Sequence, residues 1–169
     1  NGMVFTNGQR QPAGRVLVTE RILAMRYTNT SQLLSQLLVH QYRSLPMFLT
    51  EAVPWTHRGD EDATRVLLDI VQGQRDLSNR VATELQQRGC PIDTGEYPME
   101  FLDLHFLSLD FLLQRLIENQ QNEVESIGRI SAELDGDPTA YHLAKEALGA
   151  AKGYLESLTD LTSSVVPGS

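Results

Sequence analysis

Apolar residues recur along this chain at intervals of three and four, in four long runs. The longest is Phe101 to Leu134, which holds no Gly or Pro before Gly128. Its stripe is Leu102, Phe106, Leu109, Leu113, Ile117, Gln120, Val124, Ile127 and Ser131. That spacing predicts one amphipathic helix over 101–134, roughly 50 Å long at 1.5 Å per residue. A helix with a single apolar face needs comparable helices against it, and three other runs supply them. Over 31–53, Leu34, Leu38, Tyr42, Leu45 and Leu49 form a stripe widened by Leu33, Leu37 and Phe48. Asn29-Thr30-Ser31 provides its N-cap, Pro46 is expected to kink it, and Pro54 ends it. Over 61–88 the stripe is Ala63, Val66, Leu67, Ile70, Gln74, Leu77, Val81 and Leu85. Asp60, Glu61 and Asp62 place negative charge at the positive end of that helix, and Gly89 followed by Pro91 stops it. Over 138–163, Asp137 caps and Pro138 opens a helix with Tyr141, Ala144, Ala147, Leu148, Ala151, Leu155, Leu158 and Leu161 inward.

The segments between these runs set the topology. Residues 56–59 are short enough to make the first two helices an antiparallel hairpin, and Asp135-Gly136-Asp137-Pro138 does the same for the last two. Residues 89–100 differ, because Pro91, Gly95 and Pro98 forbid a helix. A dozen extended residues reach roughly 40 Å, about the length of the helices. The expected fold is therefore all-α: an antiparallel four-helix bundle over 29–163, with a long crossover between helices 2 and 3. Residues 1–28, broken by Asn7-Gly8, Pro12 and Gly14, are expected to be an N-terminal arm. Val16, Val18, Ile22 and Leu23 let that arm drape over the helices or exchange with a partner subunit. Residues 164–169 form a polar tail.

Composition narrows the function classes. The chain has 169 residues and a net charge of −8, which disfavours nucleic acid and anionic membranes as partners. A single cysteine, Cys90, excludes an internal disulfide or a thiolate cluster. No apolar run is long enough to span a membrane and no signal peptide is visible, so a cytoplasmic location is expected.

Two short stretches carry a resemblance to a known superfamily. His40-Gln41-Tyr42 is similar to the first helix of bacterioferritin-type chains. Leu85–Pro91, LQQRGCP, is similar to the end of the second helix in bacterioferritin and rubrerythrin relatives. With the two hairpins and the crossover, residues 30–163 resemble the ferritin-like superfamily. That resemblance implies two irons at mid-bundle, held by a carboxylate from each of two helices and a Glu-x-x-His pair from each of the others. This chain departs from the pattern. No Glu or Asp is followed three residues later by His. Matching the motifs puts Ser35 at the first helix's Glu, and Gly73 and Asp76 near the second helix's Glu and His. On the last helix Glu146 is followed by Gly149. The diiron site and its chemistry are not carried over, and no catalytic residue or cofactor is predicted.

What remains is a set of polar positions. Gln41, Gln74 and Gln120 each lie mid-helix on or beside the inward stripe, where they either stand separately or form a hydrogen-bonded amide layer. Asp110 is the acidic residue nearest the stripe of 101–134, as a boundary residue or a ligand. His142 and Glu146 share the outer face of the last helix. His57 is in a loop and His105 on a flank, neither with an evident partner, and Glu118, Glu123 and Glu125 read as a solvated face. The four histidines do not fall on facing stripes, which disfavours a single-metal site of the DinB-like kind. The expected function is a structural, ligand-binding or protein-interaction role. The alternative is a metal-dependent oxidoreductase or iron-handling protein with a non-standard ligand set (Asp110, Glu118, His40) on iron or manganese. Leu104, Leu107 and Phe111 lie away from the stripe of 101–134. They are expected to form an outward patch covered either by the N-terminal arm or by another subunit, and a homodimer is expected through that patch or through the arm.

Overall fold

The computed structural model describes residues 13–52, 61–106 and 109–164, which are helical throughout apart from turns and one extended connection. The elements are α1 (Ala13–Tyr42), α2 (Leu45–Ala52), α3 (Glu61–Gln87), a 3-10 helix (Met99–Phe106), α4 (Leu109–Glu133) and α5 (Pro138–Ser164). Among the described residues no helix is long and apolar enough to cross a membrane.

Three boundaries differ from the sequence expectation. The helix expected over 31–53 is broken rather than kinked. The Ser44 carbonyl accepts from the Phe48 amide at 3.1 Å, and its hydroxyl accepts from the Met47 amide at 3.4 Å. Ser44 thus caps a new helix, with Pro46 in the first turn, where a missing N–H costs nothing. The segment 13–28, expected as a broken arm, continues α1 as helix; residues 1–12 lie outside the described residues. The helix expected from Phe101 begins instead at Leu109, after the 3-10 helix. A 3-10 turn advances three residues rather than 3.6, so the inward phase shifts. Leu102, expected inward, is exposed, whereas Leu104, expected on an outward patch, is buried at 6% exposure beside Phe101. Leu104 is therefore not available to a partner. Leu107 lies outside the described residues.

The apolar side chains form two cores. One gathers Leu34 and Leu38 of α1, Leu77, Val81 and Leu85 of α3, Ile127 and Leu134, and Ala144 and Ala147 of α5. The other gathers Leu45 and Leu49 of α2, Leu67 and Ile70 of α3, Leu112 and Leu116 of α4, and Leu158. Chain direction follows from the order of these halves. The path runs from the first core to the second through α1 and α2, returns through α3, runs again from second to first through α4, and reverses in α5. Between α3 and α4 the chain must cross back, and it does so extended: Cys90 packs on the first core and Tyr97 on the second.

Each end of that crossing is fixed by identifiable bonds. Gly89 has φ 70, and the Cys90 and Gly89 amides donate back to the Leu85 and Gln86 carbonyls at 2.9 Å. This is the left-handed stop that glycine permits at a helix C-terminus. Arg88, just before it, grips Asp137 with two bonds of 2.8 and 3.0 Å and Glu84 with one of 2.7 Å. Asp137 also accepts from the Ala140 amide at 3.1 Å, so one carboxylate caps α5 and ties it to α3. The Arg88 pairing holds the Asp137 carboxyl below its ordinary value. Farther along, Arg43 donates to the Thr94 and Gly95 carbonyls at 3.1 and 2.9 Å and stacks 4.6 Å over Tyr97. The Tyr97 hydroxyl donates to Glu51 at 2.7 Å, and burial, then that bond, push its pKa up to about 12.

Candidate functional site

The interior polar positions lie at the seam between the two cores. Along α1–α2, Gln41 and Ser44 separate Leu38 from Leu45. Along α3, Gln74 separates Ile70 from Leu77, and along α4, Gln120 separates Leu116 from Ile127. All three glutamines and Ser44 are buried. An amide or hydroxyl taken from water must find a partner or cost on the order of 1–3 kcal/mol.

Ser44, Gln74 and the amide nitrogen of Gln120 meet that requirement by ties between helices, and Gln41 takes part in neither tie. The Ser44 hydroxyl donates to Gln74 Oε1 at 2.7 Å, joining the α1–α2 junction to α3. Gln120 Nε2 donates to the Ala151 carbonyl at 3.1 Å, joining α4 to α5. Among the described residues no hydrogen bond links one glutamine to another, so the seam is two separate ties rather than one amide network. Ser44 went unnoticed in the sequence; the signal for it was Ser-Leu-Pro, a hydroxyl two residues before a proline inside a helical run. The two ties are unequal, because Gln120 Oε1 is buried without a hydrogen-bond partner. Its amide is half-satisfied, and an apolar side chain of similar shape removes the penalty along with the bond. Gln120→Leu is therefore expected to raise stability by about 1 kcal/mol, read as an increase in urea midpoint at unchanged m-value.

The positions matched to iron ligands hold other chemistry. The Ser35 hydroxyl donates to the Ser31 carbonyl of its own helix at 2.9 Å. Gly73 is roofed by Tyr154 of α5, whose phenol fills the space that a Cβ at position 73 would need. Asp76 accepts from Gln72 at 2.9 Å on the exposed side of α3. Burial first, and the nearby Asp76 charge second, push the Tyr154 hydroxyl above its ordinary pKa. Gly149 has open space around its Cβ position. Among the described residues no three His, Cys, Asp or Glu side chains converge. The Asp110 and His105 side chains, and His57, lie outside the described part of the structure.

Three of the remaining charged candidates, Glu118, Glu123 and Glu146, are paired with a cationic or imidazole partner. Glu118 is exposed and accepts from Arg115 at 3.2 Å and Gln114 at 3.3 Å. Glu146 pairs with Arg80 across the α3–α5 face, which together with His142 lowers its carboxyl pKa. Glu125 is exposed. Glu123, expected on a solvated face, is half-buried and pairs with His40 Nδ1 at 3.0 Å, joining α1 to α4. No local pattern could reveal that contact, since the partners are 83 residues apart.

The Glu123 hydrogen bond raises the His40 pKa above 6.5, against the opposing effects of burial and Arg129. A histidine whose folded value is raised contributes stability below its unfolded value, and that contribution is lost as pH rises through the folded value. The advantage of the native chain over His40→Gln is expected to be largest below the ordinary imidazole value of 6.5 and to fade as pH rises above it. The pair is partly solvated, so the difference is about 1 kcal/mol or less. Urea titrations at pH values below and above 6.5 measure it.

A comparison with models of known protein families, with curated proteins and with solved structures finds no match in any of the three.

Proposed function

We propose that this chain is a ferritin-like four-helix bundle whose mid-height seam is structural, and that the protein works through its surface as a structural or interaction module. The observation that carries this reading is the chemistry of the seam. Its ties are made by neutral groups, the Ser44 hydroxyl to Gln74 and the Gln120 amide to a backbone carbonyl, and the matched ligand position Gly73 lies under the Tyr154 ring. Neutral amides satisfied by protein partners are poor transition-metal ligands, whereas carboxylates and imidazoles are good ones. The path of the chain through the two cores supports the bundle: first to second, back, crossing, and the same pattern reversed. α4 packs chiefly on α5 and α1 on α3, which supports two hairpins. The protein acts as a homo-oligomer.

Metal content after expression in iron- and manganese-supplemented medium tests the reading, together with aerobic turnover of Fe(II). Less than one tenth of an equivalent of either metal, and Fe(II) oxidation at the buffer rate, are expected. A stoichiometric metal with accelerated oxidation would replace the reading with the oxidoreductase alternative.

A further inference from the structure

The N-terminal half of α1 adds nothing to either core. Residues 17–29 are exposed at every position, before the helix enters the first core at Leu33 and Leu34. Tyr27 ties it to the body: its hydroxyl donates to the Arg88 carbonyl at 2.8 Å, and the Arg88 guanidinium lies 5.6 Å over its ring. On a helical wheel Tyr27 and Leu23 lie on the body side. Val18, Ile22 and Met25, spaced i, i+4 and i+7, lie on the opposite side. These three are 57%, 50% and 73% exposed. They are flanked by Arg15, Arg21 and Arg26, and Glu20 is the only acidic residue of the segment. A basic, apolar helix face thus projects from an otherwise strongly acidic chain.

A second exposed apolar group has the opposite charge. Met99 and Leu102 of the 3-10 helix and Phe111 of α4 are 80%, 52% and 53% exposed. In the chain they are interspersed with Glu96, Glu100, Asp103 and Asp110, and residues 96–111 contain no Lys or Arg; the cation beside Glu100, Arg115, is paired with Glu118. This group sits at the second-core end, whereas the arm leaves from the first-core end. The arm is roughly 27 Å long and points away from a body about 40 Å long, so it cannot reach its own acidic group while helical. The acidic group of a second copy is within reach. Two copies laid antiparallel and offset by an arm's length put each arm against the other's acidic end, which closes the pair by a two-fold axis.

We propose that the α1 arm docks, through Val18, Ile22 and Met25 with their flanking arginines, on the acidic apolar end formed by Met99, Leu102 and Phe111 of a second copy. Each arm is exchanged reciprocally. This deepens the interaction role above by naming the partner. It is read by mass rather than by metal content: a monomeric chain ends the docking and the homo-oligomer with it, and leaves the structural, metal-free seam standing.

A charge swap tests it on the full chain, by light scattering after size exclusion at about 0.15 M salt. The native chain should be a dimer. Arg21→Glu with Arg26→Glu, and separately Glu100→Arg with Asp103→Arg, should each weaken dimerisation at least tenfold while far-UV circular dichroism stays native. Mixing the two variants should restore the dimer, since both contacts are then complementary again. A native chain that stays monomeric overturns the proposal, as does a dimer that neither pair of changes weakens, or a mixture that fails to recover. A monomer that sediments with phosphatidylserine vesicles through the same arginines would assign the arm to a membrane surface instead, and also overturns it.

Discussion

Ser44→Ala should cost about 2–4 kcal/mol, the largest loss expected from any single hydroxyl in the chain. Two separate effects add. The Ser44 hydroxyl accepts from the Met47 amide and so caps α2, which contributes about 1 kcal/mol. The same hydroxyl donates to Gln74 Oε1 at 2.7 Å, and Gln74 is 2% exposed. Removing the donor leaves a buried amide oxygen unpaired, at a further ~1–3 kcal/mol. The companion variant separates the two effects. Gln74→Leu removes the amide together with its need for a partner and leaves the cap intact, so it should cost about 1 kcal/mol or less. In the Gln74→Leu background, Ser44→Ala should then cost only the cap, about 1 kcal/mol. Urea unfolding of the four proteins gives the cycle. Equal losses for Ser44→Ala in both backgrounds would show that the tie to Gln74 contributes nothing.

The second large effect is at Gly73, where a change of sign is expected. Placing Glu there restores the side-chain type that the ferritin-like pattern would have in this helix, but a Cβ at this position overlaps the Tyr154 hydroxyl and crowds its ring. Forced repacking of that kind costs ~3 kcal/mol at the upper end of its usual range. Replacing Gly within a helix recovers up to about 1 kcal/mol of propensity, so the net loss for Gly73→Glu should be about 2 kcal/mol. With Tyr154→Ala as the background the overlap is gone and only the propensity remains. There Gly73→Glu should stabilise by up to ~1 kcal/mol. A loss of the same size in both backgrounds would mean that Tyr154 does not fill the position.

These two sites mark what could be read from the chain and what could not. The stripe of α3, the glycine stop at Gly89 and the Asp137-Pro138 start are local codes, and each appears where its residues stand; on α5 the stripe holds from Ala144 onward, but Tyr141, expected inward, is exposed, and Ala140 and Leu143 are buried in its place. Ser35, Gly73 and Gly149 were legible as departures from a ligand pattern, but what fills those places was not, because Tyr154 comes from a helix 81 residues away. The same limit hid the His40–Glu123 and Arg43–Thr94 contacts. Elsewhere the periodicity itself misled. Leu102 and Leu104 changed sides because a 3-10 segment has a different repeat from the α-helix assumed for it. Residues 13–28 looked like a broken arm because Pro12 and Gly14 read as breakers, yet Gly14 lies inside α1. Residues 17–29 are helical and exposed, so burial leaves no pattern there. Pro46 was visible as an interruption. That it sits in the first turn of a new helix depended on Ser44 having a partner in α3, a tertiary fact.

The claim common to these predictions is that the middle of the molecule is held by neutral inter-helix ties and not by a metal. Thermal unfolding of the purified chain under anaerobic conditions, with Fe(II) or Mn(II) raised from zero to millimolar, tests it most directly. A metal bound only by the folded state would stabilise it by about 2.7 kcal/mol at a hundredfold excess over Kd, a shift of several degrees. The expected result is a midpoint that does not move with either metal. A midpoint that climbs with concentration would contradict the claim, provided it falls back when a chelator is added.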